Sequence, residues 1–93
     1  MTTERTGHGR GRHENEGRPT SEATRDRRSA REIYFDLETG LFIFIGPRGR
    51  THVFTVDGRH HTSFRTTQAN RWLRVNHGKW KPIARSALPE ELQ

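Results

Sequence analysis

The sequence contains no cysteine, so disulfides, thiolate zinc sites and cysteine nucleophiles are excluded. It also lacks a long apolar run: the longest strongly apolar stretch, residues 41–45, is far too short to span a bilayer. No apolar run follows Met1, so a secretory signal of the usual form is not expected. These absences lead us to expect a cytoplasmic protein with no membrane partner.

Large apolar side chains are missing from the first third of the chain. Residues 1–30 contain no Val, Ile, Leu, Phe, Tyr or Trp, and all of these lie between Ile33 and Leu92. Such a segment cannot bury enough apolar surface to offset the entropy of ordering. The sequence therefore predicts a disordered tail rich in Gly, Arg and Glu over 1–30. A small domain is expected over 31–85, and a short C-terminal tail over 86–93.

Carboxylates are scarce in the second half of the chain. Between residues 48 and 85 there are nine Lys and Arg residues and one carboxylate, Asp57, whereas the whole chain carries a net charge of +6. Solvated surfaces usually mix both signs, so this imbalance indicates a polyanionic partner, and we expect DNA or RNA. The cations expected to contact phosphates are Arg48, Arg50, Arg59, Arg65, Arg71, Arg74, Lys79 and Lys81.

The spacing of apolar residues predicts an antiparallel β-meander of about four strands. The first strand begins at Glu32, and the second covers residues 41–45. A third strand is expected over 51–56 and a fourth over 60–65, joined by the hairpin signal Asp57-Gly58.

The first hairpin determines which aromatic residues share a face. A three-residue loop with a left-handed Gly40 would pair Leu37 with Leu41. In that register Tyr34, Phe42 and Phe44 lie on one face of the sheet. A face of this kind can stack nucleic-acid bases, and the alternative is that these rings form core or an interface.

A helix is predicted after the meander, with Thr66 as its N-cap, an end near His77, and Gly78 following the C-cap. Its apolar stripe, at the spacing i, i+3, i+4, consists of Ala69, Trp72 and Leu73. A competing interpretation makes residues 71–75 a strand followed by a turn. The predicted class is therefore α+β, a small meander followed by one C-terminal helix.

Three functions compete at this point. The first is non-enzymatic binding of nucleic acid, and the second is a protein-interaction module docking through Phe42, Phe44 and Trp80. The third is a minimal ribonuclease using His52 and His61, with Arg65 stabilising phosphate charge. We find no catalytic motif and expect no cofactor or metal site. A core this small leaves a homodimer as an alternative to a monomer.

Overall fold

The computed structural model describes residues 20–93, so the first nineteen residues of the tail predicted over 1–30 lie outside the described part. The described residues form a five-stranded antiparallel sheet of order β4-β3-β2-β1-β5, with one helix against each face. The strands are β1 Glu32–Asp36, β2 Phe42–Ile45, β3 Arg50–Phe54, β4 His60–Arg65 and β5 Trp80–Pro82. The helices are α1 Ala23–Ser29 and α2 Gln68–Asn76. The predicted α+β class is confirmed, with one strand and one helix more than expected. The extra strand, β5, adds to the free edge of β1, and the extra helix, α1, lies in the segment predicted as a tail.

The predicted register of the first hairpin is wrong by one residue. Ile33 pairs with Phe44 and Phe35 with Phe42, so these four side chains share a face. The cause is Asp36, whose carboxylate accepts the backbone N–H groups of residues 38 and 39 at 2.9 and 3.1 Å. This local turn ends β1 one residue earlier than expected. The side chains of β2 therefore change face relative to those of β1, so that Phe42 and Phe44 lie on the face opposite Tyr34.

The face of the sheet that carries Phe42 and Phe44 is covered by α1 and by the C-terminal segment. Phe44 meets Phe54 edge-on, with ring centroids 5.6 Å apart. The core around these rings contains Ala23, Ala30, Ile33, Phe42, Phe44, Phe54, Leu88 and Leu92. The core therefore draws on residues outside the predicted domain 31–85. Residues 23–30 and 88–92, predicted as tails, contribute buried side chains to the domain.

The second face carries Ile43, Ile45, Val53 and Trp80, and α2 lies against it. Residues 71–75 are helical, which decides between helix and strand in favour of the helix. The N-cap is Thr67, one residue after the predicted Thr66, and its side chain accepts the N–H of residue 70. Gly78 adopts a positive φ of 71° after the helix end, as predicted.

The predicted apolar stripe of α2 does not face the core. Trp72 is 61% exposed and Leu73 is 45% exposed. The helix turns Val75 and Arg74 towards the sheet instead, and the Arg74 guanidinium lies 4.7 Å from the ring centroid of Trp80. A guanidinium stacks well on an indole, so an arginine covers this face where the pattern predicted an apolar residue. No helix within residues 20–93 is long and apolar enough to cross a membrane.

Candidate functional site

The two ends of the sheet differ in their balance of positive and negative side chains. The β2–β3 turn, the start of β1 and the end of β4 lie at the same end, because Ile45 pairs with Glu32 and Arg50 with Arg65. This end presents three exposed arginines, Arg31, Arg48 and Arg65. We call it the arginine end.

A cleft of about 380 Å³ opens at the arginine end. Among the described residues that line it are three arginines, Arg31, Arg48 and Arg71, and one carboxylate, Glu32. Glu32 is already neutralised, since Arg71 Nε lies 2.9 Å from its Oε2. Arg71 also donates to the backbone carbonyl and hydroxyl of Thr66 at 3.1 and 3.0 Å, which fixes its position. The cleft therefore offers two exposed guanidiniums, Arg31 and Arg48, beside the Glu32–Arg71 ion pair, an arrangement suited to phosphate oxygens.

Arg48 occupies a backbone conformation that arginine rarely adopts. Its φ is 59° and ψ 29°, and Gly49 follows with φ 76°, so the two residues form the centre of a type I′ turn. Gly49 is needed there, since a Cβ would lie 2.1 Å from the carbonyl oxygen of Thr66. Asn or Gly would suit position 48 better, because the left-handed region costs other L-residues about 1–2 kcal/mol.

The other predicted phosphate contacts do not join this cleft. Arg50 points to α1, where its Nε lies 2.8 Å from Asp26 Oδ2, and Arg74 covers Trp80. Arg59 follows the β3–β4 turn at the opposite end, 3.9 Å from Asp57. Lys79 also lies at that end, beside Asp36 and Glu38, and Lys81 lies on the edge strand β5. Of the eight predicted cations, the structure brings Arg48, Arg50, Arg65 and Arg71 to the arginine end, where Arg50 is paired with Asp26 and Arg71 with Glu32.

The aromatic residues predicted for stacking are not available on one surface. Phe42 is 8% exposed and Phe44 is fully buried beneath α1, while Tyr34 lies on the opposite face. The Tyr34 hydroxyl donates to Glu32, and burial together with this carboxylate raises the pKa of Tyr34 to about 12. Trp80 is buried as well, which removes the premise of a docking patch formed by Phe42, Phe44 and Trp80.

The aromatic ring that the structure does expose is Trp72, which sequence reasoning assigned to the core. Helical spacing can place an apolar triplet on one face, but it cannot tell which face meets the sheet. The one sequence feature that could have indicated an exposed Trp72 is that Arg71 and Arg74 share the other face of the same helix, the face from which Arg74 covers Trp80.

A buried chain of hydrogen bonds links α1 to β3 and β4. His52 Nε2 lies 2.7 Å from Asp26 Oδ2, and His52 Nδ1 lies 2.7 Å from Ser63 Oγ. The same hydroxyl lies 2.8 Å from His60 Nε2. An ionised Asp26 can only accept, so His52 donates from Nε2 and accepts the Ser63 hydroxyl at Nδ1. Each of these residues is at most 1% exposed, so the chain of hydrogen bonds acts as a structural clamp on α1.

The pKa shifts agree with this assignment. Burial alone would raise the pKa of Asp26, but the hydrogen bonds from Arg50 and His52 outweigh it and hold the pKa below 3.8. Burial lowers the pKa of His52 below 6.5, although Asp26 partly offsets this effect. Asp26 is therefore ionised and His52 neutral at pH 7.

The arrangement of Asp26, His52 and Ser63 has the hydrogen-bond order of a serine nucleophile with its base, yet α1 covers it completely. The proposed ribonuclease required His52 to face RNA beside His61. His52 pairs with Ser63 across the β3–β4 ladder, and its ring lies beneath α1 instead.

Within residues 20–93 no three His, Asp or Glu side chains form a metal-ligand group. Comparisons with protein-family models, curated proteins and solved structures found no match.

Proposed function

We propose that this protein binds nucleic acid through the phosphate backbone, with the cleft at the arginine end as the principal contact. The observation that carries this proposal is the pair of exposed guanidiniums, Arg31 and Arg48, at a cleft whose lining carboxylate, Glu32, is already paired with Arg71. Guanidiniums bind phosphate oxygens in a bidentate way, and phosphates are the dominant source of affinity in protein–nucleic acid complexes. We propose binding without catalysis, because His52 and Ser63 are buried.

The charge distribution explains why this end is the preferred site. At the opposite end, Arg59 and Lys79 lie near Asp57, Asp36 and Glu38, so the two signs partly cancel there. A polyanion approaching the described part of the molecule is therefore attracted to the arginine end.

The substitution Arg48→Asn tests the proposal without harming the fold. It creates the sequence Asn-Gly, which type I′ hairpin turns prefer, so stability is expected to stay equal or rise. Affinity for short labelled DNA or RNA oligonucleotides is measured by fluorescence anisotropy between about 50 and 200 mM salt. We expect weaker binding, with the log–log salt slope reduced by about one unit, as for the loss of one phosphate contact.

Arg59→Asn is the matched control, because it removes the same charge at the opposite end of the sheet. We expect it to leave affinity and salt slope close to those of the wild type. Equal losses in both variants would show that net charge, and not the cleft, governs binding. Binding that does not respond to salt, or no binding at low salt, would overturn the proposal.

A further inference from the structure

Trp72 lines a second cleft, which adjoins the one at the arginine end. This cleft has a volume of about 310 Å³, and its lining includes Tyr34, Gln68, Trp72 and Pro82. The two clefts share Glu32 and Arg71. The anchored Arg71 guanidinium therefore stands between an exposed indole and the exposed guanidiniums of the arginine end.

Ala69, Trp72 and Leu73 lie on the exposed face of α2, and Trp72 is the one of them that shares a cleft with Arg71. Leu73 lines a different cleft, together with Asn70 and His77. Trp72 is bordered by polar groups, including Gln68 and Arg71. The Trp72 indole therefore lies beside a guanidinium that borders the arginine end, and an exposed ring beside cations is an arrangement that holds an unstacked base.

We infer that the nucleic-acid partner is single-stranded, with one base lying on the Trp72 indole and neighbouring phosphates at Arg48 and Arg31. This inference rests on the proposed function. Bases within a duplex are stacked on each other and do not offer their faces, whereas every base of a single strand has a face that an indole can cover. The strand runs past Arg71, whose position between the two clefts lets it contact the linking phosphate.

Tryptophan fluorescence reports this contact directly, because the two tryptophans differ in exposure. Trp72 is 61% exposed, whereas Trp80 is 3% exposed and lies against Arg74. We expect oligodeoxythymidylate or oligouridylate to quench the wild-type emission. The Trp72→Phe variant, in which Trp80 alone emits, is expected to show little quenching. The two oligonucleotides also show whether the strand is DNA or RNA.

Affinity measurements separate stacking from phosphate binding. Trp72→Ala is expected to weaken single-strand binding about 5- to 150-fold, the loss typical of one stacked base, while duplex binding changes little. Leu73→Ala on the same helix is the control and is expected to leave both affinities unchanged. Circular dichroism of each variant confirms that the exposed substitutions leave the fold intact.

Two outcomes would overturn the inference while leaving the proposed function in place. One is a Trp72→Ala variant that keeps its single-strand affinity although Arg48→Asn loses affinity. The other is a wild-type dimer that Trp72→Ala converts to a monomer in sedimentation, with nucleic-acid binding unaffected, since Trp72 would then serve self-association. If neither oligonucleotide nor duplex binds at low salt, the proposed function itself fails.

Discussion

Replacing Asp26 with Asn tests whether α1 belongs to the folded domain. Asp26 connects this short helix to β3 by accepting from Arg50 at 2.8 and 3.1 Å and from His52 at 2.7 Å. Asn has nearly the same volume, so the substitution removes the negative charge without opening a cavity. The Arg50 guanidinium then loses its counter-charge, and the buried hydrogen-bond chain loses its ionised acceptor.

The expected cost follows from the burial of the three side chains. Asp26 and His52 are 2% and 0% exposed, and Arg50 is 16% exposed. Removing one partner of a buried ion pair costs about 3–5 kcal/mol, and some solvent access at Arg50 places the estimate near the lower value. A loss of about 3 kcal/mol is a large part of the roughly 5–15 kcal/mol that stabilises a domain. It corresponds to a fall in Tm of about 12–24 °C for a domain of this size.

Urea denaturation, followed by circular dichroism, measures the difference in unfolding free energy. The control is Asp57→Asn, an exposed carboxylate 3.9 Å from Arg59, for which we expect a change below about 1 kcal/mol. If Asp26→Asn were no more costly than this control, α1 would not be clamped to the sheet by Asp26. The structural role assigned to the buried hydrogen-bond chain would then be refuted.

Two further predictions concern the same core. The pKa of His52 lies below its usual 6.5 in the folded state, so the unfolded chain gains a proton first and stability falls as the pH drops below about 6.5, by at most about 1.4 kcal/mol per pH unit for this group. Asp26, with its pKa below 3.8, contributes stability that is fully present above about pH 3.8 and is lost as the pH falls through the folded value. A urea midpoint that stays flat from pH 7 to pH 4 would contradict the His52 assignment, and one that does not fall further below pH 4 would contradict that of Asp26. Leu92→Ala is expected to cost about 2–5 kcal/mol in urea unfolding, because Leu92 is fully buried. Leu37→Ala, at a residue that is 52% exposed, is its control, and equal effects would show that the C-terminal segment does not pack on the core.

The local signals of the sequence predicted much of the secondary structure. Period-two apolar spacing located the first strand and a continuous apolar run the second, while the Asp57-Gly58 hairpin signal located the third and fourth. The glycine after α2 located the end of that helix. These signals succeed because they act between neighbours in the chain. The register of the first hairpin failed for an equally local reason, since the Asp36 carboxylate closed the turn earlier than the apolar pattern suggested.

The domain boundaries could not be read from apolar content. Residues 23–30 contain no large apolar side chain, yet Ala23, Asp26 and Ala30 are buried. Small residues let α1 approach the sheet closely, and Asp26 is stable there only because Arg50 and His52 approach from a strand far along the chain. No pattern within residues 1–30 contains that information.

By itself, the sequence determined the α+β class, the lack of cysteine chemistry and the excess of cations over residues 48–85. Only the tertiary structure decided which cations are exposed together and which aromatic ring faces solvent. The physical reason is that both depend on contacts between distant elements. Arg74 covers Trp80 and thereby turns Trp72 outward, while the antiparallel order of the strands brings Arg31, Arg48 and Arg65 to one end of the sheet.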